Sequence, residues 1–253
     1  MNRLPPAVLG LLIANATLFV VGLAPEARQW LIEHGAFWFT KNPHFAPWQV
    51  VTYMFLHGGL GHVLFNMFAL LSFGGLLERQ WGTGRFLVFF ILCGMGAALV
   101  HNGVNVYRYG VLQERLAAQG VAPDAIRALF TAGHGAIPQG AGIRDTLNAL
   151  YRVYAVPMIG ASGGIYGVLV AFGLLYPNAK LALIFAPVPI AAKFFIPLLL
   201  GLDLLSGVTG FSLFGGGVAH FAHLGGALVG FLLMLLWRRR ALREEASREP
   251  RHL

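Results

Sequence analysis

Gly160-Ala-Ser-Gly-Gly-Ile-Tyr-Gly-Val-Leu-Val-Ala-Phe-Gly-Leu-Leu175 lies in a run, residues 153–179, that holds no Asp, Glu, Lys or Arg. A bilayer-crossing helix needs ~20 such residues. Residues 4–25, 42–77, 86–107 and 204–237 are equally free of formal charge. The whole chain of 253 residues is 57% hydrophobic and 11% charged, with 33 glycines and a mean hydropathy of +0.68. Soluble domains carry roughly 25% charged residues, so this chain cannot clothe an ordinary globular surface. An ordinary cytosolic enzyme, a disordered chain and a coiled coil are excluded. The chain reads as a multi-pass, all-α integral membrane protein.

Six membrane helices are predicted, over 6–23, 50–76, 86–104, 156–175, 194–210 and 217–237. The first could imitate a secretory signal ending at Gly22-Leu23-Ala24, but Pro25 is a poor start for a mature chain, so a retained anchor is expected. Trp30, Phe37, Trp38 and Trp48 in the following segment suit a membrane interface. Residues 105–152 form the longest polar stretch, with Asp124 and Asp145 placed to cap short helices. The stretch 181–192, with Pro187 and Pro189, reads as a re-entrant or interfacial loop, and Arg238-Arg239-Arg240 as the stop of the last helix. The domain reading is a membrane domain over 1–240, including an extracytoplasmic insertion at 105–152, and a basic cytoplasmic tail over 241–253.

The net charge of +8 is read as an orientation signal rather than as a nucleic-acid footprint. With both termini cytoplasmic, that side holds eleven basic residues and the other side seven, mostly in one long loop. Cys93 is the only cysteine, so no intrachain disulfide can form, and a buried structural thiol is expected.

Polar side chains within spans are costly and mark function. His57, His62 and Asn66 fall on the second predicted helix, Ser162 on the fourth, and His220 and His223 on the sixth. A neutral histidine can accept the proton of a serine hydroxyl and activate it. Ser162 and His223 each lie about six residues, ~9 Å, past their predicted helix starts, at matching depth. The pairs Gly160/Gly164, Gly163/Gly167 and Gly226/Gly230 let helices approach closely. His62 and Asn66, four apart on one face, could donate to a developing oxyanion, and Tyr166 could stack on His223.

Plainer readings stand beside these. A lone intramembrane serine is more often a helix–helix hydrogen bonder, and glycine-rich stretches alone usually mean tight packing. Gly160-x-Ser162-x-Gly164 also fits a nucleophile elbow, which needs a preceding strand and a soluble sheet. His220 and His223 could be metal ligands, yet no carboxylate sits near them in sequence, so neither metal nor other cofactor is expected. A small transporter or channel is a further class, but no inverted repeat is apparent. Asp203 is the only formal charge within a predicted span. It either bonds backbone or loop groups near the outer face or lies closer to water than those boundaries imply.

His57-x4-His62-x3-Asn66, Glu78 with Gly82-Thr-Gly84, Gly160-Ala-Ser162-Gly163-x2-Tyr166 and Ala222-His223-x2-Gly226 occur in the order of one family. On these motifs the chain resembles the rhomboid intramembrane serine proteases, in their bacterial six-helix form. The resemblance implies a rhomboid-like bundle with 24–48 as a membrane-embedded first loop and the fifth helix as a mobile lateral gate. It implies a Ser162–His223 dyad without an acidic third member, and an oxyanion hole of His62, Asn66 and the Ser162 N–H. It makes His57 a structural histidine, and Glu78 the residue bonding the cytoplasmic turn. The implied substrates are single-span membrane proteins, the implied location a bacterial inner membrane, and the alternative an inactive binder of membrane proteins on the same fold. Where the family's first loop often reads Trp-Arg, this chain reads Trp48-Gln49, and the loop 105–152 is longer than in the minimal bacterial form. That loop is either a tolerated insertion or a cap that screens substrates.

Overall fold

The computed structural model describes residues 3–132, 140–183, 186–210 and 218–248. Eleven helices and one small hairpin make up its named elements there. Helix α1 (Pro6–Val21) starts at a proline, as suits a position whose N–H has no helical acceptor. Its free amides instead find Glu78, whose two carboxylate oxygens accept from the Ala7 and Val8 N–H groups at 2.8 Å each. The Thr83 hydroxyl donates to the same carboxylate at 2.8 Å, so one buried acid ties the start of α1 to the turn at Gly82.

After α2 (Pro25–Gly35) and the single turn α3 (Gln49–Thr52), a 3-10 turn at Tyr53–Phe55 leads into a non-helical segment at 56–59. The predicted helix over 50–76 is therefore broken, and Gly58-Gly59, which stabilise helix poorly, mark the break. The span proper covers Leu60–Trp81. It comprises α4 (Leu60–Ala69), a π-helical turn at Leu70–Gly74 and α5 (Gly75–Trp81).

Helix α6 (Thr83–Ala118) runs 36 residues, past the predicted end at 104. The insertion is thus largely helical: α6 continues into it, followed by α7 (Pro123–Ala132) and α8 (Ala141–Ala155). It has its own small core of Leu116, Val121, Ile126 and Leu150. Neither aspartate takes the expected capping position: Asp124 is the second residue of α7, within its first turn, and Asp145 falls inside α8.

The next helix, α9 (Ser162–Leu175), begins six residues later than predicted, because 156–161 are non-helical. The expected loop at 181–192 is a hairpin of β1 (Lys180–Leu183) and β2 (Ala186–Ala191), with Lys180 paired to Ala191. Helix α10 (Ala192–Thr209) follows, and α11 (His220–Arg248) continues beyond Arg238 rather than stopping there. The predicted start of that helix at 217 lies outside the described residues.

Four of these helices are long and apolar enough to cross a membrane: Leu60–Trp81, Thr83–Ala118, Ala192–Thr209 and His220–Arg238. Helices α1 and α9 are shorter apolar helices. The protein is an integral, multi-pass membrane protein, and its exposed surface carries large apolar side chains such as Leu64, Phe65 and Phe68 on α4 and Leu198, Leu204 and Leu205 on α10.

At the centre, Phe86, Phe89, Phe90, Cys93 and Ala97 of α6 pack with Ile165, Val168 and Ala171 of α9 and Ala222 of α11. Close approach there depends on glycine. A Cβ on Gly230 would stand 2.7 Å from the Gly167 Cα, and one on Gly226 would strike the backbone of Gly163. The small pairs Gly163/Gly167 and Gly226/Gly230 thus face each other across α9 and α11. Gly164 instead packs under Phe90 and Met54, and Gly160 is outside the helix.

Candidate active site

Three features of the chain bring Ser162 to the centre of the bundle. Phe37 and Met158 exchange both backbone hydrogen bonds at 2.9 Å, which holds the approach to α9 extended. The Gly160 N–H then donates to the Tyr53 carbonyl at 2.9 Å. Gly160 has φ +123°, a conformation costly for any residue with a Cβ. A Cβ there would also lie 2.7 Å from His62 Nε2. Ser162 follows as the first residue of α9, so its N–H belongs to the helix-end donors that lack a helical acceptor.

His223 lies in the first turn of α11, three residues past its start. Its Nε2 is 2.9 Å from Ser162 Oγ. The two residues are neighbours, but not through equal offsets of about six residues from two helix starts. One opens its helix after an extended approach, and the other stands a turn inside its own. The Tyr166 ring lies on the His223 ring, 4.1 Å between centroids and 11° from parallel.

The second histidine nitrogen has an acidic partner. His223 Nδ1 is 3.1 Å from Asp203 Oδ1, and His220 Nδ1 is 2.6 Å from the same oxygen. A carboxylate can only accept there, so Nδ1 of each ring carries the proton, and Nε2 of His223 is left to accept from the serine hydroxyl. The expected histidine without an acidic neighbour is therefore corrected: Asp203 on α10 supplies the acid. Neither expectation for Asp203 holds as stated. It bonds histidine side chains, and it is buried, with 6% of its surface exposed.

Asp203, His220 and His223 also form a group that could hold a metal ion. The separations of 2.6 and 3.1 Å are those of direct hydrogen bonds.

His62 and Asn66 approach from α4. His62 Nδ1 accepts from the Gly58 N–H at 3.3 Å, which leaves the proton on Nε2, the atom that faces Gly160. Asn66 Nδ2 stands on the same side of Gly160, and it is buried with no acceptor among the described residues. Unpaired buried donors are rare because they cost free energy. Beside the Ser162 hydroxyl, this donor and the His62 Nε2–H are placed as an oxygen that becomes negative only during reaction would require. His57 is not on the helix as expected. It sits in the 56–59 break, buried, edge-on to His62 with centroids 5.0 Å apart.

The first loop is tied down around Gln49, where arginine had been the expected residue type. Gln49 is fully buried; its Oε1 accepts from the Trp38 N–H at 3.3 Å and its Nε2 donates to the His44 carbonyl at 2.8 Å. An amide thus makes the loop's anchoring bonds. Asn42 adds a bond from its Nδ2 to the Tyr154 carbonyl at 2.8 Å, linking the loop to the end of α8. Sequence reading missed the roles of Gln49 and His220. Asp203 gave one signal, a single charge in an otherwise apolar span.

A family model described as the rhomboid domain matches residues 44–240. The chain is 28% identical over 216 residues to an uncharacterized mitochondrial rhomboid protein of Schizosaccharomyces pombe, covering 77% of this chain and 53% of that one. It is 26% identical over 245 residues to the mitochondrial presenilin-associated rhomboid-like protein of Mus musculus, covering 92% of this chain and 50% of that one. Over 52 residues it is 38% identical to the rhomboid protease GluP of Bacillus subtilis, 21% of this chain and 10% of that one. The chain spans about half the length of the mitochondrial relatives it matches.

Proposed function

The chain belongs to the rhomboid family, and from that premise we propose that it is an intramembrane serine endopeptidase acting through an acyl-enzyme. The observation that carries this reading is the 2.9 Å separation of Ser162 Oγ and His223 Nε2. The Ser162 oxygen attacks the carbonyl carbon of the scissile peptide as its proton passes to His223 Nε2. The carbonyl oxygen becomes an anion, met by the Ser162 N–H, the His62 Nε2–H and the Asn66 Nδ2–H. The C–N bond then breaks, and His223 returns the proton to the leaving amine. Water, deprotonated by the same nitrogen, hydrolyses the ester and restores Ser162.

Substrates in this reading are single-span membrane proteins, and the lipid bilayer is the medium of the reaction; no cofactor takes part. The proposed location is a bacterial inner membrane, with both termini cytoplasmic. The eleven basic residues on one side against seven on the other support that orientation.

Purified protein in proteoliposomes is expected to cleave a reporter single-span substrate, and Ser162→Ala to abolish cleavage while inserting normally. A fluorophosphonate is expected to label the native protein and not the variant. Full cleavage by Ser162→Ala would overturn the assignment. Absence of both cleavage and labelling in the native protein would favour an inactive binder of membrane proteins. A membrane-impermeant form of the probe, applied from each side, reads the orientation.

A further inference from the structure

Asp203 is the charged residue that the apolar run of α10 carries, and a buried charge in such surroundings persists only with partners that offset its desolvation. Two histidine Nδ1 atoms meet one of its oxygens, Oδ1, at 2.6 Å from His220 and 3.1 Å from His223. His220 and His223 are three apart on α11, so both rings reach the same face of α10. Their planes are 88° apart, one ring edge-on to the other. Gly207 of α10 lets this approach happen, since a Cβ there would stand 3.0 Å from the Phe221 ring and 3.4 Å from the His220 Cβ.

We infer that Asp203, steadied by His220, is a positioning residue for His223. It fixes the ring in the tautomer and rotation that present Nε2 to Ser162, and its negative charge offsets the positive charge that His223 gains when the serine proton arrives. This inference rests on the endopeptidase reading above. The two His223 contacts, 3.1 Å at Nδ1 and 2.9 Å at Nε2, place the ring between acid and nucleophile. The stacked Tyr166 ring limits tilting out of that line. Without the acid, both tautomers of His223 become accessible, and one of them points an N–H at Ser162 and cannot accept its proton. His220, whose Nε2 does not contact Ser162, contributes only by holding the carboxylate. A purely structural acid, pinning α10 to α11, would produce the same hydrogen bonds but leave the chemical step alone.

The test compares native protein, Asp203→Asn, Asp203→Glu and His220→Gln in proteoliposomes, with kcat and KM measured separately on the reporter substrate. Asp203→Asn is expected to lower kcat at least about tenfold, by analogy with acid removal in other serine proteases, with KM changed less than about twofold. The rate of fluorophosphonate labelling should fall in parallel. Asp203→Glu, which keeps the charge, is expected to recover part of the loss, and His220→Gln to cost much less than Asp203→Asn. Histidine-selective 15N spectra should show a single Nδ1–H tautomer for His223 in the native protein and a mixture in Asp203→Leu. Native kcat in Asp203→Asn, with Ser162→Ala inactive, would overturn the role of Asp203 and leave the endopeptidase standing. A native protein that neither cleaves nor labels would overturn the endopeptidase itself. Equal loss of kcat and of thermal stability in Asp203→Asn, Asp203→Glu and His220→Gln would mark the acid as structural and overturn the inference.

Discussion

Asn66 is the side chain whose environment says most about its task. Its Nδ2 is buried and unpaired in the resting protein, an arrangement that costs free energy unless the reaction supplies an acceptor. Asn66→Ala is accordingly expected to lower kcat by about 10²–10³ with little change in KM, the effect of removing one oxyanion donor elsewhere. Steady-state kinetics on the reporter substrate check this, and a raised KM at constant kcat would move Asn66 to substrate binding. At this scale the sequence was readable where residue type alone implies chemistry, as for Ser162, His223, His62 and Asn66. It was unreadable where the partner comes from another element. Asp203 and His223 are 20 positions apart and on different helices, and only the packing of α10 on α11 reveals their bond.

Among the elements, the seam between α9 and α11 sets how closely Ser162 and His223 can meet. Gly163 and Gly167 of one helix face Gly226 and Gly230 of the other, so backbone lies on backbone. Gly230→Ala is expected to push the helices apart and destabilise the protein by about 1–3 kcal/mol. Fluorophosphonate labelling should weaken as well, since Ser162 and His223 sit on the two displaced helices. Thermal unfolding in detergent together with the labelling rate checks both effects. The glycines were legible as packing residues from their spacing, but the partners were not, because a small residue leaves no trace of what it touches. Helix boundaries were less legible still. The apolar run at 42–77 hides a break at 56–59 that only Gly58-Gly59 announces, and the polar composition of 105–152 conceals that α6 simply continues.

At the scale of the whole molecule, the membrane bundle and the insertion are joined but separately cored. Leu116, Val121, Ile126 and Leu150 form a cluster distinct from the bundle's. Links run through the first loop, where Asn42 reaches the Tyr154 carbonyl and the Phe39 ring lies 5.1 Å from that of Tyr109, and through Arg108, whose guanidinium donates to the Gly207 carbonyl of α10. Replacing 119–140 with a short glycine–serine link spares those links and joins α6 to α8, which pack together. Cleavage of every substrate tested is expected to stay within about twofold of native, as for a tolerated insertion. Selective gain or loss of particular substrates would instead show that the insertion screens them. Reading five apolar runs from charge gaps fixed the class of molecule correctly, because burial in lipid is written residue by residue in composition.

Helix α9 has 14 residues and rises only ~21 Å, well short of the ~30 Å hydrocarbon layer, with Ser162 at its N-terminal end. The non-helical residues 156–161 lead into that same end of the helix. In the proposed reaction, water for the final step enters from the end of the bundle where 156–161 meet Ser162. As the proposed endopeptidase, it is a one-sided machine with respect to its second substrate, whichever transmembrane segment serves as its first.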